Sequence, residues 1–290
     1  MLTNHEKRNM INDRKLTYTR LQKDLDLNPK REVTFTSLES TQEGQVVVNR
    51  NLIGYEKNDG VLSCSIVCVI SGGERREKDF LRAVIRCDNI QSLRVAFLSK
   101  EGQGLQPYQM KEKWLEILRT GNFEISGQKF QIDAIDKIFL LSDVDEFYEQ
   151  LVNIIGENSD NDSPQWIISN PCFEVWLYYC FKNNPTVDLN SIEPLTFDKR
   201  SQEMKRLGNI IVPGGLNPII AFENMKEGII HSRSYYAEDN KYIPMLYSTQ
   251  MYRMAEFLIE VMNRNAKEYD QFIAEKREWR NRMRNKRTIE

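Results

Sequence analysis

Four short apolar runs, separated by helix-patterned segments, constrain this chain more than any other feature. They are VLSCSIVCVI (61–70), LRVAFL (93–98), IFLL (138–141) and WII (166–168). Each is too short for a buried helix and rich in β-branched or bulky residues, as expected of strands covered on both faces. Between them the apolar spacing turns helical. Glu74 to Ile90 carries Phe80, Leu81, Val84 and Ile85; about Gln109 to Arg119 puts Trp114, Ile117 and Leu118 on one face; and Glu146 to Ile155 repeats Phe147, Leu151 and Ile154. Cys172 to Phe181 follows Pro171, a residue tolerated where a helix starts. The alternation predicts an α/β fold: a mostly parallel sheet flanked by helices, with functional groups at the carboxyl ends of the strands.

Around that core the pattern changes twice. Residues 1–60 read as an N-terminal arm and a small β-containing extension, with short strands near Val33 and Phe35 and at Val46 to Val48. The α/β core takes 61–185, with a hairpin expected from Phe123 to Ile132. Residues 186–290 read as a helical C-terminal part packed on the sheet, with helices over about Arg200–Ile210, Pro218–Ser232 and Ser248 to beyond Arg277.

Bulk properties exclude several function classes. Charged residues make up 28% of the 290 and the formal net charge is -2, so any nucleic-acid contact must come from a local basic patch. The polar opening MLTNHEKRNM and the absence of eighteen successive apolar residues predict a cytoplasmic protein without a membrane span. Five scattered cysteines do not suggest a disulfide framework, and with two histidines and no CxxC pair they do not suggest a zinc site.

The segment KIFLLSDVDEF (137–147) carries the clearest chemistry. If the strand runs through it, Asp143 and Asp145 share a face roughly 6 to 7 Å apart and Val144 points to the core. Two such anions need a cation or a hydrogen-bond network. A calcium loop is excluded, because the sixth position is Tyr148 and the twelfth Ile154. Neither a dinucleotide fingerprint nor a P-loop is complete. Other carboxylates stand at successive strand ends: Glu74 and Glu77 after the first, Glu174 after the fourth. Glu174 is the sole charge in an apolar stretch, so it must pair, coordinate or stay protonated. An oxygen-only set suits Mg2+ or Mn2+, held by Asp143, Asp145 and Glu77. The tail KREWRNRMRNKR (276–287) offers a nucleic-acid strip of Lys276, Arg277, Arg280, Arg282 and Arg284 around Trp279.

The combination GGERREKDF, FLLSDVDEF and WIISNPCFEVWLYYCF, with IPMLYSTQMYRMAEFL further on, resembles the RloB-like family of prokaryotic defence proteins over roughly Val61 to Val261. The resemblance implies a Toprim-like fold, a magnesium site and a nuclease effector, with RNA favoured over DNA as substrate. It also implies an AAA-type ATPase partner and a role in anti-phage defence of the abortive-infection kind, and leaves homo-oligomerisation open. Asp143 and Asp145 would then hold the metal, with Glu77 and Glu174 completing or orienting the site. One position departs from the family: Gly72 stands where a first turn glutamate is expected to carry protons. Glu74 is the substitute, and the alternative is a catalytically degenerate module that binds or regulates an ATPase.

Overall fold

The computed structural model describes residues 30–35, 46–51, 65–88, 93–100, 104–125, 128–132, 136–156 and 164–287. The remainder of the N-terminal arm and the polar stretch 37–45 lie outside the described residues. Two compact units are present. One comprises 1–65, 88–94 and 259–290; the other comprises 66–87 and 95–258.

The central sheet has four strands in the order β4-β3-β7-β8: β3 (Ser65–Ser71), β4 (Leu93–Leu98), β7 (Lys137–Asp143) and β8 (Gln165–Ser169). β3 pairs parallel with β7 from Val67↔Lys137 to Ser71↔Leu141, and β7 pairs parallel with β8 from Phe139↔Gln165 to Asp143↔Ser169. The expected mostly parallel α/β sheet is therefore present, and it contains the described part of each of the four apolar runs, the first from Ser65 onward. Two antiparallel hairpins accompany it: β1 (Lys30–Phe35) with β2 (Val46–Asn51), and β5 (Asn122–Ile125) with β6 (Gln128–Gln131).

Both faces of the sheet are buried, which explains why its strands read as continuous apolar runs. On one face Ile66, Cys68, Ile70, Ile138, Leu140, Trp166 and Ile168 pack under α3 (Pro107–Thr120) and α4 (Tyr148–Gly156) through Met110, Trp114, Ile117, Leu151 and Ile154. α3 is well delimited: Gln106 and Gln109 form a reciprocal cap, Pro107 opens the first turn, and Gly121 closes it at φ 65°. On the other face Phe139 meets Phe257 edge-on at 5.6 Å. A cluster of Phe80, Phe173, Trp176 and Phe222 packs ring to ring at 5.1 to 6.1 Å.

Several helices differ from expectation. The segment 74–90 is two pieces, α1 (Arg76–Arg82) and α2 (Val84–Cys87), because Ala83 bonds back to the Phe80 carbonyl and tightens the chain. α5 is Glu174–Tyr179, so Cys172 and Phe173 lie in the turn before it. A short helix α6 (Pro185–Asp188) was not anticipated. α7 begins at Phe197 and ends at Ile211. The segment 218–232 divides at Asn224 into α8 (Pro218–Glu223), capped by Asn217, and α9 (Met225–Ser234). α10 runs from Met251 to Arg287, 37 residues. Among the described residues no helix is long and apolar enough to cross a membrane.

Candidate carboxylate site at the strand ends

β3 stops at Ser71, and the turn after it is held from both sides. Gly72 N–H donates to Leu141 O at 2.9 Å, Gly73 N–H donates to Ser71 Oγ at 3.1 Å, and Ser99 Oγ donates to Gly73 O at 2.8 Å. Gly104, at φ 70°, lies so close that a Cβ on it would overlap the Gly72 carbonyl. A Cβ on Gly72 would in turn sit 3.1 Å from Leu105 O. Backbone thus crowds the space where a side chain at position 72 would begin, and Leu105 would have to shift slightly to admit one.

Glu77, the second residue of α1, is 8% exposed. Its carboxylate folds back onto Gly73, where a Cβ would collide with it. Burial, aided by the negative charge of Glu174, pushes its pKa up to about 7, against its own backbone N–H and the cations Lys205 and Arg76. Glu174 opens α5 and is also buried. Its Oε1 lies 3.4 Å from Arg76 Nε, so the lone charge of the apolar stretch does find a partner.

Asp143 ends β7, half-buried, directly across from Ser169 of β8. Cys172, in the turn after β8, is fully buried, and its thiol pKa is driven well above the ordinary by burial and by the charges of Glu174 and Asp143. Glu174 thus acts on both Glu77 and Cys172, and Asp143 acts on Cys172. Asp145 is placed differently from the strand reading. The extended chain stops at Asp143, Val144 has helical angles (φ -70°, ψ -53°), and Asp145 begins a 3-10 turn through Phe147. Its side chain lies outside the described residues. Glu74 lies half-exposed in the β3–α1 turn. Among the described residues, no group of three or more His, Cys, Asp or Glu is assembled to hold a metal ion.

Arg76 and Lys205 are the site residues that sequence reasoning missed. Arg76 stands in the GGERREK segment, where the acidic neighbours drew attention. Lys205 lies on α7, remote in sequence, and nothing in its local pattern marks it.

The turn from β8 into α5 is braced by a late segment. Gln250 N–H donates to Ile168 O and its Oε1 accepts from Ile168 N–H; Asn170 N–H donates to Ser248 O. Ser169 Oγ and Thr249 Oγ1 share a buried hydrogen bond of 2.7 Å. Asn170 Nδ2 donates to Pro244 O, and the Asn170-Pro171 peptide is cis. On α10, Arg277 and Arg280 are exposed; the side chains of Lys276, Trp279, Arg282 and Arg284 lie outside the described residues.

A mostly parallel sheet flanked by helices, with a late segment fastening the last strand end, defines an α/β protein. The family model for RloB-like protein matches residues 67–288. With most of its length matched, the chain belongs to the RloB-like family. No curated protein and no solved structure matches it.

Proposed function

We propose that this RloB-like protein is a Toprim-related, metal-dependent phosphodiester nuclease, acting on RNA as an effector of anti-phage defence beside an AAA-type ATPase. One observation carries the reading. Glu174 acts electrostatically on Glu77, Glu174 and Asp143 both act on Cys172, and Arg76 and Lys205 favour the charged form of Glu77. Carboxylates held near one another in a partly dry site repel, a condition a divalent cation relieves. The donors are all oxygen, which suits Mg2+ or Mn2+. Asp143, Asp145 and Glu77 would hold the ion, which when bound polarises a phosphate oxygen and activates water.

In this reading the chain's own groups divide the work. Arg76 pairs with Glu174 and orients it, Lys205 biases Glu77 toward its charged form, and Glu74 carries protons from the turn. The exposed Arg277 and Arg280 of α10 would contact the nucleic-acid backbone. A second reading, a degenerate module that binds or regulates an ATPase, is favoured by glycine at position 72 and the crowded backbone around it.

The test is incubation of purified protein with tRNA and with duplex DNA in magnesium, alongside Asp143→Ala. RNA cleavage that falls by about 100-fold or more in the variant is expected, as for loss of a metal ligand. Equal cleavage by both proteins refutes the assignment, and absence of cleavage by the unaltered chain favours the second reading.

A further inference from the structure

The segment from Tyr236 to Gln250 reaches both of the turns that follow β7 and β8. Its first half is a narrow hairpin. Met245 N–H donates to Ala237 O at 2.9 Å, Asp239 N–H donates to Ile243 O at 2.9 Å, and Glu238 pairs with Pro244 between them. Asp239 closes the tip in the manner aspartate favours in turns, its Oδ1 accepting from the backbone N–H of Lys241 at 2.8 Å and of Ile243 at 2.9 Å. Its other oxygen, Oδ2, accepts from Tyr148 Oη at 2.6 Å, across 91 residues of chain.

Tyr148 is the first residue of α4, directly after the 3-10 turn Asp145–Phe147 and five residues beyond Asp143. Three neighbours fix its side chain. The hydroxyl is held by Asp239, Lys241 Nζ stands 5.6 Å from the ring centroid, and the Phe197 ring of α7 lies 6.1 Å away. The bond to Asp239, then burial, pushes the Tyr148 pKa up to about 12, so the hydroxyl remains a donor at any working pH.

The second half of the same segment holds the turn after β8. Asn170 Nδ2 donates to Pro244 O at 2.7 Å and Asn170 N–H donates to Ser248 O at 2.9 Å, four residues before Glu174. The β7–β8 ladder itself ends at Asp143↔Ser169, followed by Val144 N–H donating to Ser169 O at 2.9 Å. Past that point the chain after β7 turns helical, and Tyr148 ties it to the hairpin. A site divided between two turns needs their spacing held to within about 0.5 Å, which takes supporting contacts outside the site.

Building on the metal site proposed above, we infer that Tyr148 and Asp239 are positioning residues for it. They attach the turn bearing Asp143 and Asp145 to the same hairpin that holds the turn before Glu174, and so set the spacing between the two. Both act through the turn and not on substrate.

Tyr148→Phe removes the hydroxyl and keeps the ring contacts. Its control is Tyr178→Phe, which loses an equal 2.6 Å bond to an aspartate, Asp188, with neither residue in a strand-end turn. Amide hydrogen exchange in EDTA reads the turn without metal. Phe147 N–H, which donates to Val144 O at 2.7 Å, should exchange about fivefold faster or more in Tyr148→Phe and at the unaltered rate in Tyr178→Phe. Calorimetric titration with Mn2+ reads the site. Affinity should fall about fivefold or more in Tyr148→Phe, less than the roughly 10- to 100-fold seen when a ligand's own partner is lost, because Tyr148 acts one step further away. Tyr178→Phe should bind Mn2+ as the unaltered protein does. Exchange and affinity unchanged in Tyr148→Phe, or changed alike in both variants, overturn the inference. Faster exchange with unchanged affinity also overturns it, because the turn would then move without moving the site. An unaltered protein that binds no Mn2+ refutes the metal site itself and takes the inference with it, whatever the exchange rates.

Discussion

Glu77→Gln should make the protein more stable at pH 8 and remove much of its loss of stability toward alkaline pH. The folded chain holds this carboxyl's proton too tightly: burial and the neighbouring Glu174 move it from 4.5 to about 7. Below pH 4.5 both folded and unfolded chains are protonated there and the position costs nothing. As pH rises from 4.5 to about 7 the unfolded chain ionises freely and the folded chain resists, so stability drains away; above about 7 the loss is complete. At 1.36 kcal/mol per pH unit the ceiling is about 3 kcal/mol. Glutamine keeps the shape and cannot ionise. Urea denaturation in EDTA at pH 5.5 and pH 8 should show the unaltered protein losing about 2 kcal/mol more than Glu77→Gln across that interval. Magnesium added at pH 8 should then stabilise the unaltered protein more than the variant, since only the former offers the carboxylate. Equal pH dependence in the two proteins would refute the reasoning, because it would mean Glu77 ionises as easily folded as unfolded.

Two further substitutions probe the supports of the site. Gly104→Ala should destabilise by about 2 kcal/mol or more in thermal or urea denaturation, since it forces a Cβ into the Gly72 carbonyl from a backbone at φ 70°; an unchanged midpoint would contradict the close approach. Thr249→Val should cost about 1 to 3 kcal/mol by leaving Ser169 Oγ buried without its 2.7 Å partner, measured the same way.

The sheet was legible because β3, β7 and β8 are buried on both faces, and a doubly buried strand has little choice but a continuous apolar run. Glu174 was legible for the converse reason: one charge among Phe173, Val175, Trp176 and Leu177 has to be accounted for, and Arg76 accounts for it. The break at Ala83 was not, because Phe80, Leu81 and Val84 keep helical spacing across a single tightened turn. Asp145 shows the limit of the period-two argument. The pattern says which faces residues would take in an extended chain, and it does not say that the chain stays extended past Asp143. Lys205 enters through tertiary packing of α7 alone, which no local spacing encodes. The crowding at Gly72 depends on a loop some thirty residues away, and the sequence alone marks only the missing carboxylate.

The fastening of β8 by Pro244 to Gln250 makes the strand-end site a property of the distant chain. The turn that presents Glu174 has its backbone bonded to residues more than seventy positions later. A protein ending at 185 would contain every candidate carboxylate and all four sheet strands, yet Ile168, Ser169 and Asn170 would lose these partners. Ribosomal synthesis therefore delivers the carboxylates long before the brace that sets the turn, so the site assembles late, after most of the chain has emerged.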